Sequence, residues 1–323
     1  VISRVPPDAR RVGITGIGVR VPERVLTNDD LEKMVDTSDE WIVTRTGIRE
    51  RRIARDDEAA SDLAIPAARQ ALERAGVDAA DLDLVIVATS TPDMLFPTTA
   101  VIVAEAIGAK RAAAYDTLAA CSGFLYSSSQ AYGLIAGGVA GRALVIGSEV
   151  LSKIVDWSDR GTCILFGDGA GAVVIEPVAD GGFHGFELGV DGSHGQDLCL
   201  PGGGSRAPAS ADTIAQGLQW VHMNGREVFR EATRLMVSSA EQLLAEVDAT
   251  VDDVDLYVPH QANQRIVDHA VKSLGLAPEK VFSNIERFGN TSAASIPIGL
   301  ADAVEEGRLR PGTRVLMSAV GGG

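Results

Sequence analysis

Apolar positions along this chain alternate between a helical and a strand period. Residues 62–75 read as an Ala-rich amphipathic helix stopped by Gly76, and VDAADLDLVIVATS then passes through an acidic turn into β-branched residues. The same order returns at 226–258, where REVFREATRLMVSSAEQLLAE reads as a helix and VDATVDDVDLYVPH as turn and strand. AEAIGAKRAAAYDTLAACSG matches VKSLGLAPEKVFSNIERFGNTS in its order of features, and AGGVAGRALVIGSEV matches VEEGRLRPGTRVLMSAV. Each half therefore predicts helix, strand, helix, strand, helix, strand. Such alternation builds parallel strands sandwiched by helices.

The repeat sets the expected architecture: a duplicated α/β unit with halves at 1–180 and 181–323. Cys121 and Asn290 are expected at equivalent places, each in a loop that opens a helix. Pseudo-symmetry should bring those two helix starts together. After VLMSAV the second half stops at Gly321-Gly322-Gly323, whereas the first half runs on into ILFGDGAGAVVIEP, so the duplication predicts one further strand past the last residue.

Composition narrows the function. The chain has 323 residues, 46% hydrophobic and 23% charged, which excludes a mainly disordered protein. A net charge of −15 argues against a general nucleic-acid binder. Residues 117–141 carry no charge but are too rich in Ser, Gln and Gly to span a membrane, and read as a buried core helix. Cys121, Cys163 and Cys199 form no C-x-x-C and no zinc spacing, so no metal site is expected. Three cysteines are too few for a disulfide scaffold, which points to a reducing, cytoplasmic setting. The start, VISRVPPDARR, shows no signal-peptide pattern.

The candidate chemistry lies in strand-to-helix loops, where α/β folds place ligands. Cys121 follows a strand that ends near Asp116 and precedes a helix, where the positive helix end favours thiolate. Cys163 reads as a strand-core residue, and Cys199 lies by a Gly/Pro loop. His260 closes the strand VDLYVP, whereas His184, His194, His222 and His269 have weaker contexts. Asn290, in RFGNTSAAS, reads equally well as a helix N-cap. GDGAGA at 167–172 is followed by a strand and is no dinucleotide fingerprint, and GGGS at 202–205 is no phosphate loop. Together, a cysteine and histidine suit nucleophilic catalysis. An Asn amide and a neutral His supply two donors for a developing oxyanion or enolate.

At these residues the chain resembles the ketoacyl-acyl carrier protein synthase III family of the thiolase superfamily. The likeness runs from about Val12 to Gly323. It is carried by residues 21–54, AACSGF at 119–124, GDGAGAVVIE at 167–176, MNGREVF at 223–229, VPHQAN at 258–263 and GNTSAASIP at 289–297. The resemblance implies a five-layered αβαβα fold with two mixed, mainly parallel sheets, usually a homodimer. It implies a decarboxylating Claisen condensation of an acyl-CoA primer with malonyl-acyl carrier protein, initiating type II fatty acid synthesis without a cofactor. Cys121 would be the acylated nucleophile, and His260 and Asn290 would hold the malonyl thioester. The backbone N–H groups of Cys121 and Gly322 would form the acyl oxyanion hole. Trp41, Arg45, Arg160 and Asn263 match CoA-binding residues, and Phe96 matches a primer-pocket residue that reaches across the dimer.

Acyl carrier protein is acidic, so docking on this acidic chain needs a local basic patch. Arg226, Arg230 and Arg234 recur on one predicted helix face, with Glu227 and Glu231 as ready partners, and Arg265 lies on the helix after His260. Arg230 and Arg265 are the expected docking residues. A starter-unit condensing enzyme or acyltransferase of secondary metabolism is the alternative within the superfamily. A branch related to hydroxymethylglutaryl-CoA synthase needs an acidic base near the cysteine, and no Glu lies in residues 106–148.

Overall fold

Alternating burial along two short strands shows how the layers are made. Val85 and Val87 face one core with the Ala60–Ala75 and Thr99–Ile107 helices, while Leu84 and Ile86 face a second core with the Gly123–Ala136 helix. In the second half, Leu256 and Val258 enter that same second core, and Tyr257 faces the helices Gly225–Glu246 and Gln264–Leu274. A strand buried on both faces sends successive side chains to opposite layers. The Gly123–Ala136 and Ser295–Glu305 helices therefore form the middle layer, with a sheet and an outer helix layer on each side. The computed structural model describes residues 1–6 and 9–322.

The first sheet has the order Val12–Arg20, Gly169–Pro177, Ala143–Glu149, Leu84–Ala88, Ala113–Thr117. Its last three strands run parallel, and Gly169–Pro177 is antiparallel to both neighbours. In the second half, Leu256–Pro259 pairs in parallel with Val315–Ser318. The strand expected in KVFSN contracts to a single bridge between Tyr257 and Val281. Side chains take the backbone acceptors there: Arg308 binds the Glu279 and Val281 carbonyls, and Gln261 reaches the Phe282 carbonyl.

Ile2–Arg4 pairs with Gly185–Glu187, so the first residues extend a strand of the second half. A cleft of about 580 Å³ lies between that strand and Val315–Ser318, lined by Glu187 and Leu188 on one side and by Ala319 and Val320 on the other. Gly323 lies outside the described residues.

Candidate active site

Cys121 occupies a 3₁₀ turn, Ala120–Ser122, between the Ala113–Thr117 strand and the Gly123–Ala136 helix. A second 3₁₀ turn, Ser292–Ala294, leads into the Ser295–Glu305 helix and packs against the first. Ala120 and Ser292 open these turns with φ of 40° and 48°, left-handed values that cost a side-chain-bearing residue about 1–2 kcal/mol. Such strain concentrates at functional sites. The two helix starts meet as the duplication requires, with one correction. Ala120 corresponds to Ser292, so the counterpart of Cys121 is Ala293, and Asn290 lies two residues ahead of the turn.

The Cys121 thiol is buried, and the backbone N–H groups of Cys121 and Gly322 both face its sulfur. Gly321 packs so close that a Cβ there would lie 2.7 Å from Sγ. Burial pushes the thiol up to about 11, beyond what the Ser292 hydroxyl beside it recovers, and nearby Glu149 raises it further. The expected thiolate is thus overruled in the resting site. A helix end contributes typically ~0.3–1 kcal/mol, less than one pKa unit. Desolvation here moves the group from 9.0 to about 11.

His260 follows the Leu256–Pro259 strand, and its N–H donates to the Ser318 carbonyl at 2.7 Å. Its ring is buried, with Nδ1 2.6 Å from Ser295 Oγ and Nε2 unpartnered among the described residues. Burial lowers its pKa to about 4, so the ring is neutral at pH 7. Asn290 is held through its backbone by Leu165 and Gly167, and its Oδ1 accepts the Ser292 N–H at 2.9 Å. That bond leaves the Nδ2 amide as the donor side. Residues 290–295 therefore join the site: Asn290 is on them, Ser292 touches Cys121, and Ser295 touches His260.

Glu149 is the residue that sequence reasoning missed. It ends the Ala143–Glu149 strand fully buried, accepting from Thr91 Oγ1 at 2.7 Å and from the Ser90 N–H at 3.0 Å. Burial raises its carboxyl to about 7, despite bonds from Thr91, Ser90 and Ser292. The available signal was an acid ending an otherwise apolar buried strand, one residue past the stretch searched for a base. Cys163 is also reassigned. It ends a short helix, Arg160–Cys163, and is buried against a small core rather than in a strand.

These geometries agree with the comparisons to known proteins. Residues 115–192 match the family model described as 3-oxoacyl-[acyl-carrier-protein (ACP)] synthase III, and residues 244–323 match its C-terminal counterpart. A β-ketoacyl-[acyl-carrier-protein] synthase III of Symbiobacterium thermophilum is 58% identical over 97% of this chain and 96% of its own. The chain belongs to the 3-oxoacyl-[acyl-carrier-protein] synthase III family. The solved synthase III of Thermus thermophilus is similar at 48% identity with a TM-score of 0.89, covering 96% of this chain and 95% of its own. The priming β-ketosynthase of the R1128 polyketide pathway is similar at 36% identity and a TM-score of 0.88, covering 97% of this chain and 93% of its own. The thiolase-like fold is thus established together with the family.

The remaining expected residues fall into three places. Trp41 and Arg45 lie on the Asp39–Thr46 helix, where Ser38 caps the Trp41 N–H, and Arg45 stacks 4.6 Å from the Trp41 ring. Arg160 stacks on the same ring at 4.9 Å, so three expected CoA residues form one cluster. Buried Arg51 braces it, binding Asn28 Oδ1 and the Ile164 carbonyl, while Asn28 binds Asp39 at the start of the Trp41 helix. Asn263 caps the Gln264–Leu274 helix by accepting the Arg265 N–H. Phe96 is 83% exposed, beside the likewise exposed Met94 and Leu95. Arg230 is paired with Glu227 and Glu231, whereas Arg265 lies over the Phe229 ring and shares an open cleft with Asp268, His269 and Lys272.

Proposed function

We propose that this chain condenses an acyl-CoA primer with malonyl-acyl carrier protein, releasing CO₂ and initiating type II fatty acid synthesis. The observation that carries this reading is the 290–295 segment, which ties a buried thiol, a neutral histidine and a free amide donor into one site. Cys121 sulfur attacks the acyl-CoA carbonyl and a C–S bond forms. The tetrahedral oxyanion takes the Cys121 and Gly322 N–H groups, and CoA leaves with the thiol's proton. Malonyl-acyl carrier protein then replaces CoA. His260 and Asn290 donate to its thioester oxygen, where charge collects as the C–C bond to the carboxylate breaks. One such donor is typically worth ~3–4 kcal/mol. The resulting carbanion attacks the acyl-Cys121 carbonyl, and Cys121 departs and regains a proton.

A neutral histidine suits this better than a charged one. It donates a hydrogen bond without neutralising the departing carboxylate. The steps use no resident metal or cofactor. Trp41, Arg45 and Arg160 form the nucleotide-binding face, and Asn263 borders the pantetheine path. Acyl carrier protein docks at Arg265, whose guanidinium has no carboxylate partner among the described residues, with Lys272 beside it. Arg230 assists less, because Glu227 and Glu231 already oppose its charge.

The acting unit is a homodimer. Ala113–Thr117 is an unpaired sheet edge, and Met94, Leu95, Phe96 and Leu118 are exposed. A second copy covers such an edge and brings Phe96 to its neighbour's primer pocket. No helix among the described residues is long and apolar enough to cross a membrane, and a cytoplasmic setting suits free thiols. The R1128 likeness supports a second reading, a starter-unit enzyme of secondary metabolism with the same chemistry.

Intact-protein mass spectrometry after incubation with short acyl-CoAs tests the reading. One acyl adduct is expected on the parent and none on Cys121→Ala. No adduct with any primer would remove the priming role.

A further inference from the structure

We propose that Ser295 is a positioning residue that sets the tautomer of His260, holding the ring proton on Nε2. The inference rests on His260 being a donor in the condensation step. It starts from a bond between two buried side chains: Ser295 Oγ lies 2.6 Å from Nδ1, with the residues 2% and 1% exposed. Ser295 Oγ also receives the Gln261 N–H at 3.4 Å and has no other partner among the described residues. His260 Nε2 is buried and unpartnered.

A neutral imidazole has one N–H and one bare nitrogen, and the bond at one nitrogen decides the state of the other. Suppose Nδ1 carries the proton. It donates to Ser295 Oγ, and the hydroxyl hydrogen is then left buried without an acceptor. Nε2 would also present a lone pair to the oxygen on which negative charge develops. Now suppose the proton is on Nε2. The Ser295 hydroxyl donates to Nδ1, and Oγ keeps a lone pair for the Gln261 N–H. The one polar hydrogen left over is Nε2–H, the donor that the reaction consumes. Each arrangement leaves one polar hydrogen without an acceptor at rest, but the second leaves no bare nitrogen unmet and puts that hydrogen on Nε2, where the reaction uses it.

The local fold supports this. Ser295 is the first residue of the Ser295–Glu305 helix, so its side chain is fixed by a regular element. The positive end of that helix faces the ring and disfavours imidazolium, in the same direction as the burial that keeps His260 neutral.

The test needs two readouts. In ¹⁵N-histidine-labelled protein, the wild-type His260 ring is expected to show a protonated Nε2 and a bare Nδ1. Ser295→Ala is expected to give a tautomer mixture and to lower condensation kcat by about tenfold or more. Its KM for malonyl-acyl carrier protein and its acylation of Cys121 by acyl-CoA should stay near wild type. Ser295→Thr keeps the hydroxyl and should restore both the spectrum and the rate. A protonated Nδ1 in the wild type overturns the proposal. So does a Ser295→Ala enzyme that condenses at the wild-type rate, or one that loses acylation and condensation equally. The spectrum reports the tautomer whether or not Cys121 acylates, so this inference and the functional reading fail separately.

Discussion

Three buried ionisable side chains govern the residue scale, and burial acts on each in the direction its charge dictates. It raises Cys121 to about 11 and Glu149 to about 7, and lowers His260 to about 4. Glu149 makes a signed prediction about stability. Unfolded, its carboxyl ionises near 4.5; folded, it ionises near 7. The folded chain keeps a proton that the unfolded chain gives up between those values. Stability from this group is full below about 4.5 and falls as pH rises through 7, by about 3 kcal/mol at most. Glu149→Gln removes that loss. Thermal unfolding should show the variant gaining on wild type between about pH 5 and pH 8; a constant difference would deny the buried charge. His260 acts on the other side. Its unfolded form takes up a proton near 6.5 that the folded form refuses until about 4, so its contribution is lost as pH falls through that window.

At the scale of elements, close backbone approach places the 290–297 segment. Gly147, in the Ala143–Glu149 strand, lies where an added Cβ would sit 2.2 Å from the Ala293 carbonyl oxygen. Gly171 similarly meets Pro297, at 2.7 Å from its Cβ. These glycines let the 290–297 segment rest directly on the first sheet, which is how a loop of one half reaches the cysteine of the other. Gly147→Ala should destabilise the chain by about 1–3 kcal/mol. It should also cut condensation more than that loss of stability explains, because Asn290 and Ser295 shift with Ala293. Thermal unfolding beside kcat at a temperature where the variant is folded checks this. Unchanged kcat in a folded variant would show that the segment tolerates the displacement.

For the whole molecule, charge and exposed apolar surface point to two partners. The net charge is −15, yet Arg265 and Lys272 share one open cleft beside the Phe229 ring. Arg265→Glu should raise the apparent KM for malonyl-acyl carrier protein about tenfold while leaving Cys121 acylation by acyl-CoA intact. Arg230→Glu should have a smaller effect, since its carboxylate neighbours already offset it. Equal effects would mean that those pairs open on docking. The proposed dimer predicts that wild type sediments as a dimer and Phe96→Asp as a monomer, because a charge would enter an apolar patch with Met94, Leu95 and Leu118. A variant that stays dimeric would place the interface elsewhere.

Local order made the duplicated α/β plan legible in the chain itself. The helix from Ala60 to Ala75 ends at Gly76, and the strands Leu84–Ala88 and Leu256–Pro259 follow their acidic turns where the pattern puts them. Hydrophobic period and glycine stops act over a few residues, so they can be read without the fold. The positions of Cys121 and His260 just past strand ends were legible too, whereas Asn290 follows the short Ile285–Phe288 helix rather than a strand. Other features needed distant segments to meet. Burial, set by the whole packing, made Cys121 a resting thiol and revealed Glu149 behind it. Val281 formed one bridge rather than a strand because Arg308 and Gln261 captured the neighbouring carbonyls. The partner of His260 is 35 residues away in sequence, at the start of the Ser295–Glu305 helix. Sequence supplied the reactive groups; tertiary structure set their protonation and orientation, because both depend on desolvation and hydrogen bonds from residues far along the chain.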